Sequence, residues 1–175
     1  MRGTRRRRAR PQLTHVVHVW LCTFVGVVAV SVPTLYLGLP ASAHLFLTGS
    51  FGATAILLYA SPRSDLAQPR NLFGGHLISA FIGVSAHKLV GDHVEIVAAL
   101  AVATAIAAML CTDTLHPPGG AIAMIAVIGG DRIHDLGYGY LLSPVLFGAA
   151  IMFVVAVVLN NLSADEGHQY PATWW

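Results

Sequence analysis

Residues 113–121 read DTLHPPGGA and separate two apolar runs, one ending at Cys111 and the other at Ile128. Proline removes a backbone N–H donor and pushes the residue before it out of helical geometry. In the first turn of a new helix, however, proline is well placed. The stretch therefore predicts a non-helical segment followed by a helix that begins near Pro117.

The composition on either side of this stretch is that of a membrane protein. Of 175 residues, 55% are hydrophobic and 10% are charged, whereas soluble domains carry about 25% charged residues. About 20 apolar residues cross a bilayer, so the sequence predicts an all-α polytopic membrane protein with about six segments. These segments cover 13–36, 42–60, 71–90, 94–111, a short run ending at 128, and 137–159. One transmembrane domain, 13–162, lies between a basic tail at 1–12 and an aromatic tail at 163–175.

Arginine and lysine predict the orientation of the chain in the lipid bilayer. Six arginines precede residue 11, and Arg63 and Arg70 fall on the same predicted side, against Lys88 and Arg132 on the other. The positive-inside rule then places both termini in the cytoplasm, with the domain in the cell inner (plasma) membrane. In an alternative interpretation, the arginine-rich start and Ala-Ser-Ala at 41–43 form a cleaved signal peptide. The long apolar stretch favours a retained helix.

Two pairs of similar stretches indicate an internal repeat. GATAIL at 52–57 resembles GAIAMI at 120–125, and LISAFIG at 77–83 resembles LLSPVLFG at 141–148. With three crossings in each half, the second half would be inverted relative to the first. This predicts a three-plus-three inverted repeat, with repeat one at about 13–90 and repeat two at about 94–162. Chance matching of Gly, Ala, Leu and Ile in a biased composition is the alternative.

The repeat pairs TGSFG at 48–52 with HPPGG at 116–120, and both are predicted to break a helix at membrane depth. Broken helices inside a membrane line cavities, and the amino end of a helix attracts anions. We therefore predict that a small anion binds between two half-helix amino ends near the midplane. The predicted substrate-binding residues are Thr48, Gly49, Ser50, Gly52, His76, Thr114, His116, Pro117, Pro118, Gly119 and Gly120.

Three polar side chains near these breaks each have two interpretations. Asp113 either couples proton movement to transport together with His116, or caps the His-Pro-Pro turn. Arg70 is either a counter-charge for the anion or an ordinary positive-inside arginine. His76 either lines the cavity or packs between helices. No Cys/His metal pattern, nucleotide-binding string or nucleophile motif occurs, so no metal, no cofactor and no nucleic-acid partner are expected.

Together, several motifs resemble those of the HPP family of integral membrane proteins. They are DTLHPPGGA at 113–121, GSFGATAILL at 49–58, AQPRNLFGGHL at 67–77, LNNL at 159–162 and YPATWW at 170–175. The family is commonly described with four transmembrane segments, and its plant plastid and cyanobacterial members are associated with nitrite transport. The resemblance implies that this chain moves nitrite or a similar small anion.

Three functions compete at this point. A transporter or channel for a small anion explains the broken helices best. A membrane regulatory or structural subunit would not require them, and a membrane enzyme using Asp113 and His116 lacks a nucleophile or metal set. We expect a transport protein rather than an enzyme. Channel and carrier are not distinguished, and small residues on the helices favour a homo-oligomer.

Overall fold

The computed structural model of the protein describes residues 12–36, 41–90, 93–163 and 166–174. These residues form helices and loops, with no β-strand among them, so the all-α prediction is confirmed for this part of the chain. The predicted basic tail lies outside it except for Gln12. The helices are α1 (Leu13–Leu35), α2 (Ala41–Ala55), α3 (Pro69–Leu89), α4 (Val94–Cys111), α5 (Pro118–Ile128), α6 (Asp131–Leu136) and α7 (Phe147–Asn161).

Three stretches of helix are long and apolar enough to cross a membrane: Leu13–Pro33, Val94–Cys111 and Leu141–Asn161. Two shorter apolar helices cover Leu47–Ala60 and Pro118–Ile128. The 11 residues of α5 extend for about 17 Å, whereas the hydrocarbon core is about 30 Å thick. Helices therefore lie over all six predicted segments, but six full crossings stay a prediction.

The first predicted break, at 48–52, is wrong. Gly49 and Gly52 lie inside α2, which is helical from Ala41 to Ala55 and continues as a π-helical turn over Ile56–Ala60. Glycine in a helix costs only about 1 kcal/mol relative to alanine, and the packing of α2 against its neighbours outweighs that cost. Paired half-helix amino ends therefore do not form, because one of the two ends is the middle of a helix.

A different helix is interrupted instead. A π-helical turn over Leu141–Leu146 precedes α7, and Ser143 inside it has extended backbone angles, φ −135° and ψ 123°. Pro144 follows directly, and the residue before a proline is disfavoured in helical geometry. The sixth predicted segment is thus helical from Leu141 with a kink at Ser143 rather than one continuous rod.

The helices pack as two groups that meet at the centre of the molecule. On one side, α4 packs against both α3 and α5, and on the other side, α1 packs against both α2 and α7. The groups are joined where α2 contacts α5 and where α3 contacts α7 and the turn before it. Large apolar side chains on the outer face of α1, such as Trp20 and Phe24, are exposed. This distribution suits a protein surrounded by lipid.

The crossing of α3 and α5 requires glycine. A Cβ on Gly119 would lie 2.5 Å from Ser79 Oγ and 3.0 Å from the Gly75 carbonyl oxygen, and a Cβ on Gly75 would lie 2.5 Å from His116 Cβ. Small residues let two helix backbones approach closely in membranes. This approach brings the start of α5 against the first half of α3.

We expect Gly119→Ala to lower the free energy of unfolding by about 1–3 kcal/mol, because the new methyl group overpacks the crossing. Gly120→Ala is the matched control, since the nearest atom to a Cβ there is Val102 Cγ1 at 3.7 Å. The measurement is thermal or denaturant unfolding of both variants in the same detergent. Equal stability of the two variants would contradict the close crossing.

Candidate functional site

The His-Pro-Pro loop (112–117) is fastened to the start of α3 and to the loop before it. Arg70 Nη2 donates to the Thr112 carbonyl oxygen at 2.9 Å, and Asn71 Nδ2 donates to the Leu115 carbonyl oxygen at 2.9 Å. Side-chain donors thus satisfy backbone carbonyls that no helix satisfies. Non-helical backbone close to a bilayer is stable only with such partners.

Asp113 lies at the surface, not at depth as the sequence analysis assumed. Its side chain is 88% exposed, and Oδ2 is 3.1 Å from Arg70 Nη1. The backbone at Asp113 has a positive φ of 54°, which places the residue in a turn. The pair involves both residues proposed for charge-related roles, and exposed pairs of this kind contribute about 0–1 kcal/mol to stability. Proton coupling by Asp113 and an anion-binding role for Arg70 stay predictions.

The amino end of α5 offers few free donors to an anion. Pro117 and Pro118 have no N–H, Gly119 N donates to the His116 carbonyl oxygen at 2.8 Å, and Gly120 N donates to the Pro117 carbonyl oxygen at 3.1 Å. The attraction that a helix amino end exerts on anions depends largely on unpaired N–H groups. Binding of the anion by these glycine N–H groups stays a prediction, and both groups already have backbone acceptors in the structure.

Two buried histidines lie between α2, α3 and the His-Pro-Pro loop. We call Phe51, Thr54, His76 and His116 the histidine centre, and all four side chains are fully buried. The ring centroids of His76 and His116 are 4.8 Å apart. Phe51 stacks on His76, with ring centroids 5.7 Å apart. The structure thus brings together two of the predicted binding residues and adds Phe51 and Thr54, which the sequence analysis did not select.

Hydrogen bonds define the tautomer of His116. Its Nδ1 is 2.8 Å from the Leu66 carbonyl oxygen, which can only accept, so Nδ1 carries the proton. Its Nε2 is therefore an acceptor, and Thr54 Oγ1 lies 3.3 Å away as a donor. Thr54 Oγ1 is also 3.3 Å from the Ser50 carbonyl oxygen, so its one proton is shared between two acceptors.

His76 has the same tautomer but an incomplete set of partners. Its Nδ1 donates to the Leu72 carbonyl oxygen at 2.8 Å, one helical turn earlier. Its Nε2 is completely buried and has no hydrogen-bond partner. A buried polar atom without a partner costs about 1–3 kcal/mol. Such a residue is a place where a ligand with a hydrogen-bonding group would be stabilised.

The remaining predicted binding residues surround the histidine centre unevenly. Ser50 Oγ donates to the Pro118 carbonyl oxygen at 3.0 Å, which joins α2 to the start of α5. Thr114 Oγ1 is 2.7 Å from Thr112 Oγ1 within the His-Pro-Pro loop. Thr48 Oγ1 is buried without a partner. A Cβ on Gly49 or Gly52 would meet open space, so these two glycines are not in close contact with the rest of the set.

Gln68 forms a second polar assembly beside the His-Pro-Pro loop. Its Nε2 donates to the carbonyl oxygens of Pro62 and Ser64 at 2.9 and 2.8 Å, and its Oε1 accepts from the backbone N–H groups of Ala172 and Thr173 at 2.9 and 3.1 Å. One amide thus uses two donors and two acceptor positions. The aromatic tail is therefore docked on the loop before α3.

Tyr170 strengthens the same assembly. Its hydroxyl donates to the Ala67 carbonyl oxygen at 2.7 Å, and its backbone carbonyl oxygen accepts from Asn161 Nδ2 at 2.6 Å. Burial, followed by the influence of Tyr59, raises the pKa of the Tyr170 phenol well above its usual range, so the hydroxyl stays a donor. Asn160, next to Asn161 in the chain, donates from Nδ2 to the Leu58 carbonyl oxygen at 2.7 Å. Leu58 lies in the π-helical turn after α2. In the sequence, these residues stood out only as parts of the motifs that resemble those of the HPP family.

We expect Gln68→Ala to lower the free energy of unfolding by about 2–3 kcal/mol, because it removes four hydrogen bonds, two of them from partly buried backbone N–H groups. It should also make residues 170–174 more susceptible to protease. Gln169→Ala, at an exposed position of the same tail, is the matched control. The docked tail would be contradicted if both variants unfolded and were cleaved like the parent protein.

Within the described residues, no group of three or more His, Cys, Asp or Glu side chains is arranged to hold a metal ion. His15 and His18 lie near the buried His168, with ring centroids 4.6 and 4.9 Å from it. This cluster belongs to the packing between α1 and the aromatic tail.

Comparison with known proteins adds the family. The model of the HPP transmembrane region matches residues 8–171. Two similar proteins of Dictyostelium discoideum, each described as a transmembrane protein, are 38% and 35% identical over 99% of this chain. The aligned regions cover 60% and 56% of those two proteins, so the chain spans somewhat more than half of their length. No solved structure matches.

The family match covers the loop, the histidine centre and the tail as far as Pro171. On this basis the chain belongs to the HPP family of transmembrane proteins.

Proposed function

We propose that this chain is a membrane transport protein for a small anion such as nitrite, and that the solute passes through the histidine centre. The observation that carries the proposal is the unpaired Nε2 of His76, buried at the junction of the two helix groups. Ionisable groups inside membrane proteins are expensive and generally serve function. A histidine that only filled space between helices would not need a vacant hydrogen-bonding atom.

The arrangement of the helices supports a transporter with two inverted halves. If α1, α2 and α3 correspond to α4, α5 and α7, exchanging the halves converts the α1–α2 contact into the α4–α5 contact and the α1–α7 contact into the α4–α3 contact. The contacts of α2 with α5 and of α3 with α7 then lie on the pseudo-two-fold axis. Inverted repeats place substrate sites at the interface between the halves.

One hydrogen bond supports the same axis independently. Ser50 and Pro118 are 68 positions apart, which is the offset between the similar stretches that begin at Gly52 and Gly120. Residues on a two-fold axis contact their own equivalents in the other half. Ser50 and Pro118 make such a contact, directly beside the histidine centre.

The burial of the histidine centre favours a carrier over an open channel. The side chains of His76 and His116 have no exposed surface, so a solute reaches them only after helices move. The π-helical turns before α7 and after α2 interrupt the regular α-helical hydrogen bonding. Such turns are frequent at functional sites. We expect these turns to take up the movement between an inward-open and an outward-open form.

An enzyme finds less support than a carrier. The dyad considered in the sequence analysis would pair Asp113 with His116, but Asp113 contacts Arg70 at the surface and His116 is bonded to Leu66 and Thr54. We further propose that the arginine asymmetry places the His-Pro-Pro loop at the cytoplasmic face of the plasma membrane. In that orientation the solute would enter or leave the cytoplasm beside Arg70.

The test is uptake by the purified protein in liposomes, with nitrite, nitrate, formate and chloride supplied separately. We expect uptake of at least one of these anions above protein-free liposomes. Thr54→Val should reduce the initial rate of uptake by about tenfold or more, because it removes the donor to His116. A tenfold reduction corresponds to an activation free energy higher by about 1.4 kcal/mol. Thr104→Val, at an exposed position of α4, is the matched control and should transport like the parent.

Folded protein that moves none of the four anions would overturn the transport proposal and favour a regulatory or structural subunit. Equal rates for Thr54→Val and Thr104→Val would leave transport standing but would remove the histidine centre from the pathway.

A further inference from the structure

We propose that the anion crosses together with one proton and that His76 Nε2 carries this proton. The inference rests on the proposed transport function and names the group that couples the two ions. It replaces Asp113, which lies at the surface, with a residue inside the bundle.

The histidine centre contains no fixed positive charge. It consists of Thr54, Phe51 and two histidines in neutral tautomers. Arg70 is 35% exposed and paired with Asp113 at the surface. An isolated anion would lose its hydration there without gaining a counter-charge, which is strongly unfavourable in a low-dielectric interior. Binding of an anion therefore requires that a positive charge arrive with it.

His76 is the group that can supply this charge. His116 Nε2 already accepts a hydrogen bond from Thr54, whereas His76 Nε2 has a free lone pair. A proton on that nitrogen converts it from an acceptor into a charged donor, which can bond directly to the anion. The proton on His76 Nδ1 stays hydrogen-bonded to the Leu72 carbonyl oxygen throughout, so the ring keeps its orientation.

The neighbouring groups limit the number of protons to one. Among the described residues, His116 is the titratable side chain that contacts His76, with ring centroids 4.8 Å apart. The helices packed on α3 otherwise bring Phe51, Thr54 and Met109 to this region, none of which titrates. Two imidazolium rings at this distance would repel each other. One anion and one proton therefore form a neutral pair.

The transport step balances without any change in the anion. A proton from water on the entry side binds the lone pair of His76 Nε2, and the anion binds the resulting N–H. After the bundle opens to the other side, the anion leaves and the proton returns to water there. The net reaction moves one proton and one monovalent anion in the same direction. Neither can bind well without the other, because their binding free energies are reciprocally coupled.

This mechanism defines the substrate class. A small monovalent anion with at least one acceptor oxygen, such as nitrite, nitrate or formate, matches a single charged N–H donor. A divalent anion such as sulfate would retain a net charge after pairing with one imidazolium. We expect sulfate to be excluded at concentrations that saturate the monovalent anion.

The experiment uses the purified full chain in liposomes that contain a pH-sensitive dye. With an inward nitrite or nitrate gradient and equal starting pH, the parent protein should acidify the interior with one proton per anion. Clamping the membrane potential with potassium and valinomycin should leave the rate unchanged, because a neutral pair moves. At low anion concentration the rate should fall by about tenfold for each unit of rising pH, as expected for a proton that must bind.

His76→Asn is the decisive variant because its amide nitrogen retains the bond to the Leu72 carbonyl oxygen but leaves no group at the position of Nε2. It should fold like the parent and lose coupled uptake by at least tenfold. His76→Gln provides a neutral donor near Nε2 and should also lose acidification. His93→Asn, an exposed histidine at the start of α4, is the control and should retain one proton per anion.

Each outcome separates the two proposals. Folded parent protein that moves no anion overturns both the transport function and this inference. Anion uptake that responds to the membrane potential and causes no acidification overturns the inference and leaves transport intact. Coupled uptake that persists in His76→Asn shows that another group carries the proton and overturns the assignment to His76.

Discussion

The structure depends on satisfying the non-helical backbone of the His-Pro-Pro loop, which is partly buried at the end of α4. The His-Pro-Pro loop cannot satisfy its own carbonyl groups, and lipid offers no replacement for water. Side chains of Arg70 and Asn71 bond two of these carbonyls, and the loop's own His116 bonds back to Leu66. These bonds hold the loop on the start of α3. The glycine contact between α3 and α5 then brings His116 to His76, and the histidine centre follows from both restraints.

The lengths of the apolar runs predicted where the helices lie. Lipid offers no partner to backbone N–H and C=O groups, so each long apolar run must satisfy them within its own helix. The breaks were harder to predict. Gly49 and Gly52 were interpreted as a break, but glycine tolerates helical geometry and α2 continues through them. Pro144 is the stronger local signal, and the kink lies at Ser143 directly before it. The general lesson is that proline constrains the local backbone, whereas glycine permits several conformations.

The sequence predicted His76 and His116 as binding residues but could not predict the groups to which they are hydrogen-bonded. The hydrogen bond from His116 to Leu66 joins residues 50 positions apart, and such a bond depends on the packing of whole helices. Asp113 appeared to lie at depth because apolar runs flank it on both sides. Its positive φ places it in a turn at the end of α4, where its carboxylate is exposed and contacts Arg70. Likewise, only the folded chain shows that Gln68 binds the aromatic tail.

The docked tail also has a consequence for the order in which the protein is made. Gln68 and its backbone donors at 172 and 173 are more than a hundred positions apart. A ribosome therefore releases the loop before α3 long before it adds the residues that complete the bonds to that loop. Until then, the side-chain oxygen Oε1 of Gln68 must accept hydrogen bonds from water or from another transient donor. The loop before α3 can therefore reach its final form only after α7 and residues 172 and 173 have been synthesised.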